Sequence, residues 1–478
     1  MNKIYTTGVI GGGVSGAVTS LQLAKNGIES VLFEKEKSLV NGPPFCHLHA
    51  GGNLYPDISD EQCKVLLKQS IEMAKLFPQS IDVRPTFISV PKTENFTVEN
   101  IVHRLHILVE HYKGLIEEDA SNDILGNPED YFRLYSKEDL DKLKDVPSVM
   151  KPKSVDEWLL NASKIIDYSK LKFPVIMVQE YGWNLFRLGA QAQLALEETE
   201  KCTLKTNTSV TEIKDVREQK LAHNWEIRTK DDLFKIKYLV NSCGFRTGTF
   251  DDALNLRAKR LVEFKASYVS KWENPVGLLP EIIFHGERGT PHGMAQLTPY
   301  KDNHYQIHGM TEEITLFKNG LLSAKPGAMH PKFSNDIEQK LETGWAVDDA
   351  NDRTRSAIAF VSKFIPSFKS AVVAGPPLFG AQQIPGDDPS LRVGEVSFPK
   401  RSYARSEIIK ASSALTVANQ IIEKMYEETV IDLIDNNIYE NPLLAETTKN
   451  DIDELAEEFA VKRGYPAPIA QLVTERYD

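Results

Sequence analysis

The chain opens with IYTTGVIGGGVSGAVTSLQLAKNG at residues 4–27, and eighteen residues after Gly16 the short apolar run VLF ends at Glu34. The apolar residues ahead of the glycines are typical of a short buried strand, and the residues after them have helical spacing. Gly11 suits a tight turn, Gly13 lets the backbone approach a pyrophosphate, and Gly16 lets helix and strand pack closely. The pattern predicts a βαβ unit that binds a dinucleotide with its pyrophosphate at the helix N-terminus.

The boundaries of this unit follow from the same residues. We expect a strand over Ile4–Ile10, a helix that begins at Val14 and ends at Asn26-Gly27, and a second strand over Val31–Phe33. A carboxylate at the tip of the second strand can accept hydrogen bonds from both ribose hydroxyls. The predicted dinucleotide contacts in this unit are Gly11, Gly13, Val14, Ser15, Gly16, Glu34 and Lys35.

Two further stretches bear on which dinucleotide is bound. Residues 16–27 resemble the extended FAD form of the motif, GxxxAxxLxxxG, with Ser20 in place of the usual alanine. The stretch FCHLHAGGNLYP at residues 45–56 resembles the flavin-facing loop of the D-amino-acid-oxidase-like superfamily, most of all that of malate:quinone oxidoreductases and L-2-hydroxyglutarate oxidases. The resemblance implies FAD rather than NAD. It adds four contacts, in a loop whose paired glycines let bare backbone lie against the isoalloxazine ring: His49, Ala50, Gly51 and Gly52.

Three later segments resemble the same superfamily in the same order. Residues 202–213 resemble its "TxVTxI" element, in which the backbone at Val210 would bracket the adenine. Residues 238–246 resemble its "VVNAAG" strand, with Gly244 near the dinucleotide. Residues 401–421 resemble its closing strand and helix, whose N-terminus would face the pyrimidine end of the flavin and stabilise negative charge there. The contacts that this last resemblance implies are Ser412, Ser413, Ala414, Leu415 and Thr416.

The resemblance implies an α/β fold in which a Rossmann-like FAD-binding domain of the glutathione-reductase type is joined to a mixed-sheet α+β substrate domain. We assign the FAD-binding domain to residues 1–90, 171–255 and 371–430. Residues 91–170, which are mixed with a helical pattern, and residues 256–370, which alternate like strands, form the predicted substrate domain. Residues 431–478 lie beyond the usual end of the family and form a predicted helical tail.

Composition bounds the function further. The chain has 478 residues, 41% of them hydrophobic, and a formal net charge of -11, which argues against nucleic acid as a partner. The four cysteines are scattered, so neither a metal site nor a disulfide framework is indicated. No signal peptide precedes the first strand and no apolar run is long enough to span a membrane, so we expect a cytoplasmic protein, with peripheral contact at the inner membrane face left open.

The acidic tail has two interpretations. Residues 431–478 contain eleven acidic and four basic residues, a net of −7, and one short amphipathic helix over Ile452, Leu455 and Phe459. Interfacial helices favour basic polar faces, so packing against the body of the protein or another subunit is preferred to a membrane anchor. The oligomeric state stays open.

Oxidation of a 2-hydroxy acid needs a base for the hydroxyl proton and a cation for the carboxylate. The resemblance places three histidines near the flavin, His49, His292 and His308, of which His49 is the preferred base. The superfamily's carboxylate-binding arginine is replaced here by Gln382, and an amide lacks the charged bidentate fork. Either Arg246, Arg401 or Arg405 takes its place, or the substrate is not a simple 2-hydroxy acid.

The sequence therefore predicts an FAD-dependent dehydrogenase or oxidase acting on a small 2-hydroxy acid of the malate or hydroxyglutarate type. Quinone and oxygen both remain open as the electron acceptor, as does covalent attachment of FAD through Cys46, His47 or His49. Three alternatives are kept: an amine or amino-acid oxidase of the same superfamily, a flavin-dependent tailoring enzyme, and a flavoprotein whose FAD is structural and whose role is to bind a partner.

Overall fold

A computed structural model describes residues 3–43, 58–432 and 440–474 of the chain. Its strands are β1 (Ile4–Ile10), β2 (Ser30–Phe33), β3 (Ile81–Asp82), β4 (Thr86–Ser89), β5 (Phe132–Tyr135), β6 (Val175–Val178), β7 (Gly182–Trp183), β8 (Cys202–Lys205), β9 (Glu212–Asp215), β10 (Trp225–Arg228), β11 (Leu233–Asn241), β12 (Arg260–Lys271), β13 (Glu281–Phe284), β14 (Ala295–Pro299), β15 (His304–Gly309), β16 (Leu321–Ser323), β17 (Val372–Val373), β18 (Leu378–Pro385), β19 (Glu395–Lys400) and β20 (Tyr403–Glu407). Its helices are α1 (Val14–Lys25), α2 (Asp60–Leu76), α3 (Val98–Glu118), α4 (Lys137–Leu143), α5 (Val155–Ile165), α6 (Leu185–Glu198), α7 (Thr247–Leu254), α8 (Asn335–Thr343), α9 (Val347–Val361), α10 (Ala414–Glu427), α11 (Pro442–Ala445) and α12 (Lys449–Lys462).

The first sheet contains the opening βαβ unit. Its main path runs β19-β20-β11-β1-β2-β8, and all neighbours from β20 to β8 are parallel. The predicted strand, helix and second strand of the opening βαβ unit are confirmed, with β1 and α1 beginning where the sequence placed them. Because β1 lies at the centre, the turn that follows it opens at the carboxyl edge of the sheet, where α/β folds bind their ligands.

A second, mixed sheet lies beside the first. Its main path is β16-β12-β15-β14-β13-β4-β6-β5, with β17 and β18 also paired to β12. The long strand β12 pairs with β18 over eight residues, so that Glu263 faces Gln382 and Lys265 faces Gly380. Strands β14 and β15 are antiparallel neighbours, with Gln296 directly opposite His308. These registers place polar side chains from four strands on one face of the second sheet.

Four strands depart from the predicted domain ranges. Strands β4, β6, β17 and β18 lie within the ranges assigned to the FAD-binding domain, yet all of them pair in the second sheet. Strands β4 and β6 are buried at every position, and a fully buried strand lacks the alternation that would distinguish one sheet from another. The division into domains itself remains a proposal.

The acidic tail packs on the body of the protein, as preferred from the sequence. Phe459 and Ala460 of α12 are buried in a cluster with Phe186 of α6 and with Val269 and Leu378 of the second sheet. A helix of this short length gains most of its stability from such packing. Among the described residues, none of the helices combines the length and apolarity needed to cross a membrane.

Candidate functional site

The glycine loop after β1 has the geometry of a dinucleotide cradle. Gly11 has a φ of +97°, and a Cβ there would meet the carbonyl oxygen of Ser242 at 2.4 Å. A Cβ at Gly16 would meet the Gly11 carbonyl oxygen at 1.8 Å, so only glycine permits this approach of helix to strand. Around Gly13, in contrast, nothing lies within 4 Å of an added Cβ. The open space at Gly13 is where a pyrophosphate would meet the N-terminus of α1.

Glu34 lies beside the glycine loop and also stabilises it through hydrogen bonds. Its carboxylate is buried and accepts hydrogen bonds from the backbone N–H of Gly12 at 2.7 Å and of Glu36 at 2.8 Å. Burial raises the pKa of the Glu34 carboxyl, while those two N–H donors oppose the shift. Two backbone bonds leave further lone pairs on a carboxylate, so acceptance from ribose hydroxyls remains compatible with this geometry.

The other predicted adenosine contacts lie close to Glu34 along the chain or across the sheet. Lys35 is exposed and contacts the Glu36 carboxylate at 3.4 Å. Val210 is half-buried in the turn after β8, and that turn is fastened to the end of β2 because the Thr208 N–H donates to the Glu34 carbonyl oxygen at 2.8 Å. The structure therefore brings Val210 and Glu34 to the same edge of the sheet.

We expect a rise in the FAD dissociation constant when Glu34 is replaced by alanine, by roughly 10- to 100-fold, because a charged acceptor is worth about 1.5–3 kcal/mol and the Gly12 N–H loses its partner. Glu36→Ala, a change at an exposed neighbour, serves as the control. Titration of the apoprotein with FAD measures both constants. Equal constants for Glu34→Ala and the parent would contradict a role in binding.

A cavity of about 290 Å³ extends from the glycine loop to the polar face of the second sheet. Gly13, Val14, Ser15 and Gly244 line the end at the first sheet. The polar residues that line the remainder of the cavity are Lys265, Gln296, His308, Gln382, Gln383, Arg392, Ser406 and Lys410. Mixed apolar walls with a few convergent polar groups are the common form of a small-molecule site.

The segment that leads into α10 lines this cavity slightly earlier than predicted. Residues 408–411 line it, whereas the side chains of Ala414 and Leu415 are fully buried in the apolar core. The Ser413 hydroxyl donates to the Gln69 side chain at 2.7 Å, and Thr416 accepts from the same amide group at 3.3 Å. Ser412 and Ser242 each keep a buried hydroxyl without a hydrogen-bond partner among the described residues, which suits a polar ligand at this end.

A charged cluster lies at the second-sheet end of the cavity. Glu263 contacts Arg288, lies 2.7 Å from the Lys265 ammonium and accepts from the Gln382 amide at 3.1 Å. Gln382, which replaces the expected arginine, therefore lines the cavity and holds Glu263. Burial and nearby Arg392 lower the pKa of Lys265 to about 7, while the Glu263 carboxylate favours its charged form.

Two further cations adjoin this cluster. Arg392 is 4% exposed and donates to the carbonyl oxygens of Pro389 and Leu391 at 2.7 Å. Burial lowers the pKa of Lys410 well below its usual range, and repulsion from Arg392, Lys265 and Arg288 adds to the shift. Two cations thus contact the Glu263 carboxylate and two more lie near enough to repel them, and an anion bound among the four would favour their charged forms.

Three cations named from the sequence lie elsewhere. Arg246 is paired with Glu338 at 2.8 Å, Arg401 is exposed in the turn between β19 and β20, and buried Arg405 is bonded to Asp251 at 3.0 Å. None of the three lines the cavity. The cations that do line it come from β12, from the loop before β19 and from the end of β20. The pair Glu263 and Lys265, two charges two residues apart within a largely buried strand, is the local signal for this cluster, although Arg260 and Lys271 carry charge in the same strand.

Of the two predicted histidines that the structure describes, one lines the cavity and the other does not. His308 on β15 is 5% exposed and lines the cavity, next to Gln296 on the adjacent strand. His292 is exposed in the turn before β14. The contacts predicted at His49, Ala50, Gly51 and Gly52 fall outside the described residues, as do Cys46 and His47.

The amide of Gln296 is oriented by a buried charge. The Gln296 Nε2 donates to one carboxylate oxygen of Glu281. The second carboxylate oxygen of Glu281 accepts from Arg84 at 2.9 Å, and Glu281 and Arg84 are each at most 2% exposed. An ionised carboxylate can only accept, so the amide nitrogen must point to Glu281. Within residues 3–43, 58–432 and 440–474, no group of three or more His, Cys, Asp or Glu side chains could hold a metal ion.

No family model and no curated protein matches this sequence. Solved structures do match its fold over most of its length. Glycine oxidase from Geobacillus kaustophilus is 14% identical with a TM-score of 0.55, over 92% of this chain and 98% of that one. L-proline dehydrogenase from P. horikoshii is 13% identical with a TM-score of 0.58, over 88% and 94%. Glycerol-3-phosphate dehydrogenase from Bacillus halodurans, complexed with FAD, is 14% identical with a TM-score of 0.59, over 97% and 74%. The predicted fold class is thereby confirmed.

Proposed function

We propose that this chain is an FAD-dependent oxidoreductase that oxidises a small anionic substrate, with a 2-hydroxy acid of the malate or hydroxyglutarate type as the preferred class. One observation carries the proposal: a single cavity joins the open space at Gly13 to a cluster of buried and half-buried cations, Lys265 on the second sheet with Arg392 and Lys410 at the two ends of the β19–β20 hairpin. The fold shared with glycerol-3-phosphate dehydrogenase complexed with FAD supports the choice of dinucleotide. FAD, when bound, supplies the acceptor for the hydride.

The residues of this chain divide the remaining work. Lys265, Arg392 and Lys410 bind the carboxylate through charge-assisted hydrogen bonds, in the role of the absent arginine. His308 accepts the hydroxyl proton at a ring nitrogen, as a general base within the cavity. The Gln296 amide, whose nitrogen donates to Glu281, lines the cavity beside His308.

Oxidation of an amine or amino acid is the second candidate. Glycine oxidase and L-proline dehydrogenase share this fold, and both names refer to amino acids. The cation cluster would bind their carboxylate equally well, so the cavity alone does not separate the two classes.

The test is anaerobic mixing of the flavin-loaded protein with panels of 2-hydroxy acids, amino acids, glycerol 3-phosphate and NADPH. If a hydroxy acid bleaches the visible absorbance of the oxidised flavin, the result supports the preferred substrate class. If only an amino acid does so, the result supports the second candidate, oxidation of an amine or amino acid. A protein that binds FAD and is bleached by none of them has a structural flavin. The electron acceptor is then identified by re-oxidation of the reduced protein. Rapid re-oxidation by air in detergent-free buffer indicates oxygen, and turnover only with a quinone analogue indicates a quinone.

We expect Lys265→Met to raise KM for the anionic substrate by roughly 10- to 100-fold, because a charge-assisted hydrogen bond to the carboxylate is lost. Methionine preserves the length of the buried stem, and Glu263 keeps Arg288 and Gln382 as partners. Steady-state kinetics measure the change. Arg401→Ala, at an exposed cation that the sequence also singled out, is expected to leave KM unchanged. An unchanged KM in Lys265→Met would exclude Lys265 from the binding of the anion.

A further inference from the structure

The C-terminal segment Asn441–Thr474, here called the strap, lies against helices α1 and α6 and against the second sheet. Its apolar side chains Phe459 and Ala460 contact α6 on one side and the second sheet on the other. The Asn441 side chain donates to the Leu21 carbonyl oxygen in α1 at 3.2 Å. At its far end, the Val473 and Thr474 N–H groups donate to buried Asp82 at 2.7 and 3.0 Å. The strap is therefore fastened at both ends to the body of the chain.

Arg463, directly after α12, reaches the rim of the cavity. Its guanidinium donates to the carbonyl oxygens of Asn41 at 3.3 Å and Gly42 at 3.1 Å. The rings of Phe186 and Tyr465 lie 5.2 and 5.5 Å from it, so cation–π contacts fix its position. Gly42 and the following proline line the cavity, so this arginine holds part of the cavity wall from outside.

The wall segment that Arg463 holds is strained. Val40 has a φ of +57°, a conformation that β-branched side chains rarely adopt and that costs about 1–3 kcal/mol. Its N–H donates to the Gly12 carbonyl oxygen at 2.8 Å, in the glycine loop itself. The Leu39 N–H donates to the Gln193 side chain at 3.1 Å. Such strain persists only where surrounding contacts over-determine the conformation, and Arg463 supplies two of those contacts.

The other side of the segment is equally confined. Pro43 lies against Gly380 of β18, where an added Cβ would meet the proline ring at 2.4 Å. Residues 38–43 are thus held between the glycine loop, the second sheet and Arg463. Since Val40, Gly42 and Pro43 all line the cavity, a relaxation of Val40 would move the wall beside the space at Gly13.

We propose that Arg463 is a positioning residue through which the strap holds Ser38–Pro43 in its strained conformation and thereby sets the affinity of the cavity for its dinucleotide. The part that concerns affinity rests on the proposed function, because it takes FAD as the ligand. The part that concerns the conformation of residues 38–43 does not.

The first test needs no cofactor. Hydrogen exchange is measured on the apoprotein of the parent, Arg463→Ala, Arg463→Lys and Lys462→Ala, the last removing a neighbouring lysine whose partner is Glu458. We expect the Leu39 and Val40 amides to exchange roughly ten-fold faster or more in Arg463→Ala, with β1 unchanged, since two charged hydrogen bonds are lost. Arg463→Lys should restore most of the protection, and Lys462→Ala should match the parent. Unchanged exchange at both amides in Arg463→Ala overturns the proposal.

The second test is a double-mutant cycle on the FAD dissociation constant. Arg463→Ala should raise that constant roughly ten-fold or more. Glycine adopts a positive φ without strain, so in a Val40→Gly background the same change should have little effect. An equal effect in both backgrounds overturns the positioning role and leaves Arg463 as a stabiliser of the strap only. A parent protein that binds no FAD overturns the proposed function, while the exchange result stands on its own.

Discussion

Replacement of Gly13 by valine is expected to give a folded protein that is purified without FAD. Gly13 has a φ of −65° and a ψ of −178°, which valine adopts readily, and no atom lies within 4 Å of its added Cβ. The side chain therefore enters open space in the apoprotein. That space lies at the N-terminus of α1, where the pyrophosphate would bind, so the methyl groups and the dinucleotide compete for it.

Among the loop glycines, Gly13 is the position where a substitution tests FAD binding separately from folding. A side chain at Gly11 or Gly16 would meet backbone atoms of the protein itself, so loss of FAD in those variants would not distinguish binding from folding. Visible absorbance per mole of protein measures the FAD content of Gly13→Val, and thermal unfolding measures its fold. Gly114→Val serves as the matched control, since Gly114 lies within α3 and also has no atom within 4 Å of an added Cβ. Gly13→Val that is as yellow as the parent would contradict the site.

Local sequence predicted the opening βαβ unit of the first sheet well because its determinants are close together in the chain. The first strand and the helix that follows it are set by glycines and apolar spacing within 25 residues, and both begin where predicted. The turn after β8 and the strand that ends at Asn241 were also found, since each is marked by its own short motif. The cavity is lined by residues 408–411, about four residues before the contacts predicted at Ser412 to Thr416.

The cation cluster could not be predicted because it is assembled by long-range pairing. Lys265, Arg392 and Lys410 are far apart in sequence, and each alone is indistinguishable from a solvated surface cation. Their convergence depends on β18 pairing with β12 and on β20 lying beside β11, and neither register is marked by a local motif. The expected arginine was sought in a single motif, whereas the positive charge of the cluster is distributed over three segments.

The strained conformation of Val40 was also beyond local prediction. Valine favours extended backbone, so the sequence of residues 38–43 does not predict the positive φ of Val40. Contacts from Gly12, Gln193 and Arg463, which come from three distant parts of the chain, hold the segment in place. Only a tertiary structure reveals such a conflict between local preference and fold.

Replacement of His308 by alanine is expected to slow reduction of the flavin by the substrate by about 10²- to 10⁴-fold, the usual range for loss of a general base. His308 is buried at the cavity floor on β15, with Gln296 opposite it on β14. It is on the second sheet and not in the glycine loop, so FAD content and thermal stability should stay near those of the parent. Re-oxidation does not involve the substrate's proton and should keep its rate. Single-turnover mixing measures the two half-reactions separately.

The matched control for His308→Ala is His292→Ala. The sequence singled out both histidines for the same role, yet His292 is exposed in the turn before β14 and does not line the cavity. We therefore expect His292→Ala to reduce at the parent's rate. A third variant, His49→Ala, tests the histidine that the flavin loop predicts as the base. If reduction is slow in His49→Ala and normal in His308→Ala, His49 and not His308 is the general base. Slow reduction in both, with FAD retained, would assign one histidine to proton transfer and the other to holding the substrate oxygen, and the pH dependence of the reduction rate in each variant identifies which.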